Sequence, residues 1–132
     1  MNPDFSGVWK ANLEKSNLLG ARPKAMLVKI DHLDPELLVE MVITKMDETE
    51  DRLIFRGLTS GDEVTNLVSG VQVRSRSRWV GMELVIESRM NVGGREGYFR
   101  DYWSLTGDGG VLKMEHRDDV LAGQITLLER IT

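Results

Sequence analysis

From Phe5 onward apolar and polar residues alternate with period two, and no long apolar stripe of 3.6-residue spacing occurs. The alternation predicts strands at about 5–13, 25–32, 36–45, 51–59, 62–68, 71–79, 82–90, 96–106, 111–118 and 122–131. Short turn signals separate them: Asp34-Pro35, Ser60-Gly61, Ser69-Gly70, Val80-Gly81, Gly93-Gly94 and Asp108-Gly109. Only Leu13 to Leu19, ended by Gly20 and followed by Pro23, has room for a turn or two of helix. The acidic run from Asp47 to Asp51 reads as a solvated loop. With no internal repeat or linker, residues 1–132 are expected to form one all-β domain.

Hairpin register tests this pattern, because residues equidistant from a two-residue turn oppose each other and share a face. A turn at Gly93-Gly94 sets Leu84 against Trp103, Ser88 against Phe99, Met82 against Leu105 and, on the other face, Glu87 against Arg100. A turn at Val80-Gly81 opposes Trp79 to Met82, Ser77 to Leu84, Arg78 to Glu83 and Arg74 to Glu87. Around Asp34-Pro35, Ile30 meets Val39, Val28 meets Met41, and Lys29 meets Glu40. The Asp108-Gly109 turn sets Leu105 against Leu112, Trp103 against Met114, and Asp101 against His116.

Independent turns thus agree on one apolar and one charge-paired face. The apolar set includes Trp9, Val28, Ile30, Leu37, Val39, Met41, Phe55, Trp79, Met82, Leu84, Ile86, Phe99, Trp103, Leu112, Met114, Ile125, Leu127 and Ile131. A meander of about ten strands buries a single apolar face by closing on itself, which predicts an up-and-down antiparallel β-barrel.

Composition narrows the function classes. The absence of Cys excludes Cys-ligated metal and thiol nucleophiles, and only two His argue against a His-rich metal site, so neither metal nor cofactor is expected. An excess of 21 Asp and Glu over 17 Lys and Arg argues against a nucleic-acid partner. No apolar run approaches the roughly 20 residues that span a bilayer, and no leader opens the chain. A soluble protein is expected, cytoplasmic as the sequence stands, or secreted or periplasmic if a leader has been removed.

The stretch Phe5-Ser6-Gly7-Val8-Trp9-Lys10 resembles the first strand of the calycins, the group of lipocalins and fatty-acid-binding proteins, and is most similar to the fatty-acid-binding branch with its ten-stranded barrel. The hairpin Arg78-Trp79-Val80-Gly81-Met82 resembles the Trp-Asp-Gly hairpin of that branch, with Val in place of Asp. Ile30-Asp31-His32-Leu33-Asp34-Pro35 and Trp103-Ser104-Leu105-Thr106-Gly107-Asp108-Gly109 are similar to patterns in small bacterial lipocalin-like barrels of unassigned function. The resemblance implies a calycin-like barrel in which Gly7, Trp9 and Arg130 close one end, Arg130 lying across the Trp9 ring. It also implies a helical lid after the first strand, for which only residues 14–24 are available, so the lid is expected to be reduced or absent. The Arg-x-Tyr pair that holds a ligand carboxylate in fatty-acid-binding proteins has no counterpart between Ile125 and Arg130, and Glu129 stands about where the Tyr would.

Polar residues on the inner face are the candidates for chemistry, because burying them costs free energy unless they are bonded. The register places Asn66, Ser75, Ser77, Ser88, Asp101, His116 and Glu129 inward, beside an apolar wall of Met41, Phe55, Trp79, Leu84, Ile86, Phe99, Trp103 and Met114. The Asp101–His116 pair reads as a structural hydrogen bond, a ligand anchor or a general acid/base. No Gly-x-Ser-x-Gly elbow accompanies it. His32, beside the Asp34-Pro35 turn, reads as a rim residue. On the outer face Leu27, Val42, Ile54 and Leu67 form an apolar row across four strands, the expected contact of a homodimer or the seat of residues 14–24 with Leu18 and Leu19. The leading expectation is non-catalytic binding of a small hydrophobic or lipid-like ligand inside the barrel. The alternatives are a barrel enzyme using Asp101 and His116, and an interaction barrel acting through the outer row.

Overall fold

A computed structural model describes residues 2–18, 21–106, 108–118 and 123–131. Leu19 and Gly20, the expected end of the short helical turn, and Ala122, the expected start of the last strand, fall outside the described residues. Ten strands run in chain order: β1 (Gly7–Ala11), β2 (Ala25–Leu33), β3 (Glu36–Thr44), β4 (Glu50–Leu58), β5 (Ser60–Val68), β6 (Val71–Val80), β7 (Glu83–Val92), β8 (Arg95–Leu105), β9 (Val111–Asp118) and β10 (Gln124–Arg130). They form one antiparallel sheet in the order β4-β3-β2-β1-β10-β9-β8-β7-β6-β5, curled into a nearly closed barrel. None of the described residues is helical, and no helix is long and apolar enough to cross a membrane.

The two ends of the order, β4 and β5, are joined by the turn at Thr59 but share no ladder. Asn66 of β5 spans part of this seam. Its Oδ1 accepts from the Arg56 N–H at 2.9 Å and its Nδ2 donates to the Arg56 carbonyl at 2.8 Å, so one amide side chain takes the place of a backbone pair.

The predicted registers of three hairpins are present as expected. Ile30 pairs with Val39, Leu84 with Trp103, and Trp103 with Met114. Two expectations are corrected. The β6–β7 turn lies at Gly81-Met82, not Val80-Gly81, so Trp79 faces Leu84, Ser77 faces Ile86 and Ser75 faces Ser88. Gly81 takes the positive φ of 62° that β-branched Val80 resists, and Met82 sits in the turn, exposed, instead of inside.

The phase of β10 is the second correction. Gln124 pairs with His116 and Leu128 with Ala11, which turns Thr126 and Leu128 inward and Ile125, Leu127 and Glu129 outward. Glu129 is exposed opposite Lys10 and is not a cavity residue. Strand β10 carries apolar residues on both faces, so alternation alone leaves its phase open.

Among the described residues after β1 there is no helical lid. The chain makes a turn at residues 13–15 and returns to β10, where Asn17 and Ile125 exchange backbone hydrogen bonds of 2.8 and 2.9 Å. Between these contacts the Ser16 hydroxyl accepts the Leu127 N–H at 2.9 Å and donates to the Asn12 carbonyl at 2.7 Å. Residues 13–16 thus form a local excursion on the edge of β10.

On the outer wall Leu27 pairs with Val42, and Leu27, Ile54 and Leu67 are exposed, as the alternation requires. The polar remainder is charge-paired: Arg78 meets Glu87 at 3.0 Å, Arg52 meets Glu40 at 2.5 Å, and the Tyr98 hydroxyl donates to Glu87 at 2.9 Å. Bonds from Tyr98, with Arg78 beside it, hold the Glu87 carboxyl below its ordinary range against the opposing effect of partial burial.

Candidate functional site

The interior is divided along its axis. At one end, where β2 finishes and β3 begins, four rings fill the barrel. Phe5 is fully buried and packs against His32 (centroids 5.6 Å) and Trp79 (5.7 Å), which also meet each other at 5.8 Å, while Trp103 meets it edge-on at 5.9 Å. Trp9, also fully buried, donates its indole N–H to the Phe5 carbonyl at 3.0 Å. The Arg130 guanidinium lies 4.3 Å from the Trp9 ring centroid and donates to the Ser6 carbonyl at 2.6 Å, a cation–π contact worth about 1 kcal/mol. Gly7, between them, has φ of 144°, a conformation that side-chain-bearing residues rarely adopt.

His32 is not a rim residue. Its side chain is 3% exposed, its Nδ1 accepts the Phe5 backbone N–H at 3.1 Å, and its Nε2–H donates to Asp34 at 2.5 Å. The bond from Phe5 leaves Nδ1 without a proton, so the network assigns the neutral Nε2–H tautomer. This end is plugged by the residues that precede β1.

The other end is hollow. A cavity of about 410 Å³ is lined by Met26, Met41, Ile43, Leu53, Phe55 and Phe99, with Trp103 and Met114 toward the aromatic plug. Three of these are methionines, whose flexible thioethers adapt to irregular guests. Its size falls within the roughly 300–1,000 Å³ typical of small-molecule sites. A crevice among Leu18, Arg22, Pro23, Lys45 and Met46 adjoins it and shares Met26, Ile43 and Gln124 with it, so the cavity opens beside the β3–β4 turn.

The inward polar residues sort into two groups. Ser75 and Ser88 bond each other at 2.8 Å, and Asn66 is consumed by the β4–β5 seam, so these three serve the wall, and of them only Ser88 also lines the cavity. Ser77, Asp101 and His116 instead lie along one cross-strand row, Ser77–Ile86–Asp101–His116–Gln124. Of this row Asp101, His116 and Gln124 line the cavity, together with Ile86, whereas Ser77 lies behind Ile86 and does not. Ser77 Oγ, in a residue 1% exposed, has no hydrogen-bond partner among the described residues.

His116 is held on both sides. Its Nδ1 lies 2.8 Å from Asp101 Oδ1 and its Nε2 lies 3.1 Å from Asp118 Oδ2, while Phe99 packs against the ring at 5.2 Å. The Asp101 bond, reinforced by Asp118 and only partly opposed by burial, raises the His116 pKa above its ordinary value. Two acceptors on the two ring nitrogens suit an imidazolium. Asp118, absent from the sequence-derived candidates, follows His116 by two residues, the spacing that puts both on one face of a strand. Gln124 and Thr126 were missed with the phase of β10.

No family model matches the sequence, and no curated protein does. Solved structures do match. The chain is similar to fatty-acid-binding protein 1 of Echinococcus granulosus, at 14% identity and a TM-score of 0.65 over 97% of this chain and 98% of that one. The barrel has the calycin fold. Lipid binding protein 8 of Caenorhabditis elegans, in its apo form, matches at 11% identity and a TM-score of 0.63, covering 96% of this chain and 95% of that one. Secretory abundant heat soluble protein 4 of Ramazzottius varieornatus matches at 14% identity and a TM-score of 0.63 over 96% of this chain and 94% of that one.

Proposed function

We propose that the barrel binds a small apolar, lipid-like molecule without transforming it. The observation that carries this reading is the cavity itself: an apolar chamber of about 410 Å³ with one polar corner, open at the end opposite the aromatic plug. Two of the similar structures are, by their names, a fatty-acid-binding and a lipid-binding protein, which supports an apolar guest here. Met41, Phe55, Ile86, Phe99 and Met114 supply the affinity, and Asp101 with His116 orients the guest. Catalysis by this pair is disfavoured by geometry, since both imidazole nitrogens are occupied by carboxylates.

An uncharged solvatochromic dye tests the proposal. Its emission should shift to the blue and intensify on mixing with the protein, and a long-chain alcohol should displace it. Absence of both effects would count decisively against the reading. The outer row carries a separate proposal, a homodimer that covers Leu27, Ile54 and Leu67. It predicts a light-scattering mass of twice 14.9 kDa that Ile54→Glu halves.

A further inference from the structure

The polar corner of the cavity has a sign. Asp101 and Asp118 together carry two negative charges, and the His116 ring between them carries at most one positive charge. Among the described residues, no Lys or Arg lines the cavity. The flanking side chains are between a fifth and a third exposed, so water reaches the corner from the mouth, but Met114, Phe99 and Trp103 bound it on the inner side. A guest that placed a carboxylate here would add a third negative group at a site with one cation already shared between two acids. Charge buried without a partner is among the costliest arrangements in a protein interior. A cationic head would complete the balance and find a ready acceptor in Asp101.

We propose, resting on the binding reading above, that the guest is an amphiphile with a protonated amine at its polar end, seated against Asp101 beside His116, and that free fatty acids are discriminated against. The other polar residues that line the cavity, Ser88, Gln124 and Thr126, are uncharged and add no counter-ion for an acid. The cations at the mouth do not reverse the preference. Arg22 donates to the Leu13 carbonyl at 2.8 Å, and Lys45 pairs with Asp51 at 3.2 Å, with Asp47 lining the same crevice.

The test is displacement of the uncharged dye by three guests of equal chain length: dodecylamine, dodecanol and dodecanoic acid. The amine should displace the dye at a concentration about tenfold or more below that of the acid, with the alcohol between them. Asp101→Asn should cut the amine's affinity about tenfold and leave the alcohol unchanged. Asp31→Asn, an equal change of charge on the outer wall, should change neither. If the acid matches or beats the amine while the alcohol still displaces the dye, the amine assignment falls and the binding reading stands. If no guest displaces the dye, the binding reading falls. If a folded Asp101→Asn protein keeps the amine's advantage, attraction to the net charge of -4 explains it and the assignment also falls. The wild-type chain supplies a measurement that does not depend on the variant's folding: the His116 ring resonances should move on adding the amine, and their constancy would overturn the assignment.

Discussion

The two histidines occupy opposite ends of one barrel, each beside a carboxylate, and the structure puts them in opposite states. His32 receives a backbone N–H on one nitrogen and donates from the other, so the ring is neutral and works as a bracket between Phe5 and Asp34. His116 has an acceptor on each nitrogen, so the ring favours its charged form. A neighbouring Asp therefore does not settle what a histidine does. The group at the second nitrogen settles it, and so separates a structural end of the molecule from an end available to a guest.

That contrast is broken most strongly at the plug. Phe5→Ala removes a fully buried ring on which His32, Trp79 and Trp103 all pack, and should cost about 3–5 kcal/mol in denaturant unfolding. Against a total of about 5–15 kcal/mol for a domain, this threatens the fold itself. Phe99→Ala, in the cavity wall, removes a half-buried ring that already faces open space, and should cost less than half as much while weakening dye binding. If the two variants lose equal stability, the division into plug and chamber is wrong. Next in size is His32→Ala, which strips Phe5 N–H of its acceptor and should destabilise by about 1–3 kcal/mol without altering dye affinity.

The smallest effects are in pH, and they have opposite signs at the two ends. His116 has a raised native pKa, so its pair stabilises the fold fully below the unfolded value of about 6.5 and loses that contribution as pH rises through the native value. NMR titration should find His116 above 6.5, and Asp101→Asn should bring it down. At the plug, burial pushes Asp34 up, but bonds from His32, Thr59 and Asn2 outweigh it and leave the carboxyl below its ordinary value. Asp4 is lowered chiefly by the Ser6 backbone N–H. Their contribution is present above about pH 3.9 and is lost as pH falls through the depressed native values.

The barrel was legible in the sequence wherever a glycine turn pinned the register. Gly93-Gly94 and Asp108-Gly109 sufficed to bring Asp101 opposite His116 across two strands. Where the turn was ambiguous, as at Val80-Gly81-Met82, the faces survived but the partners moved by one pair, which hid the Ser75–Ser88 bond. Where both faces are apolar, as in β10, alternation carried no phase and Glu129 was misplaced. The plug was not legible because the alternation ran Phe5 into the first strand, whereas Phe5 precedes β1, and periodicity does not say that a segment turns in over the barrel end.

The sheet order has a consequence in time. Strand β1 hydrogen-bonds β10, with Trp9 opposite Arg130, while the unpaired edges belong to β4 and β5 in the first half of the chain. During synthesis each hairpin from β2–β3 onward meets its partner within a few residues, but β1 lacks its second neighbour until the final strand is made. Bringing together residues so distant in sequence is the slow kind of pairing. Barrel closure is therefore expected to follow the assembly of the hairpins, and a ribosome-bound chain lacking β10 should present β1 and β9 as open edges prone to association.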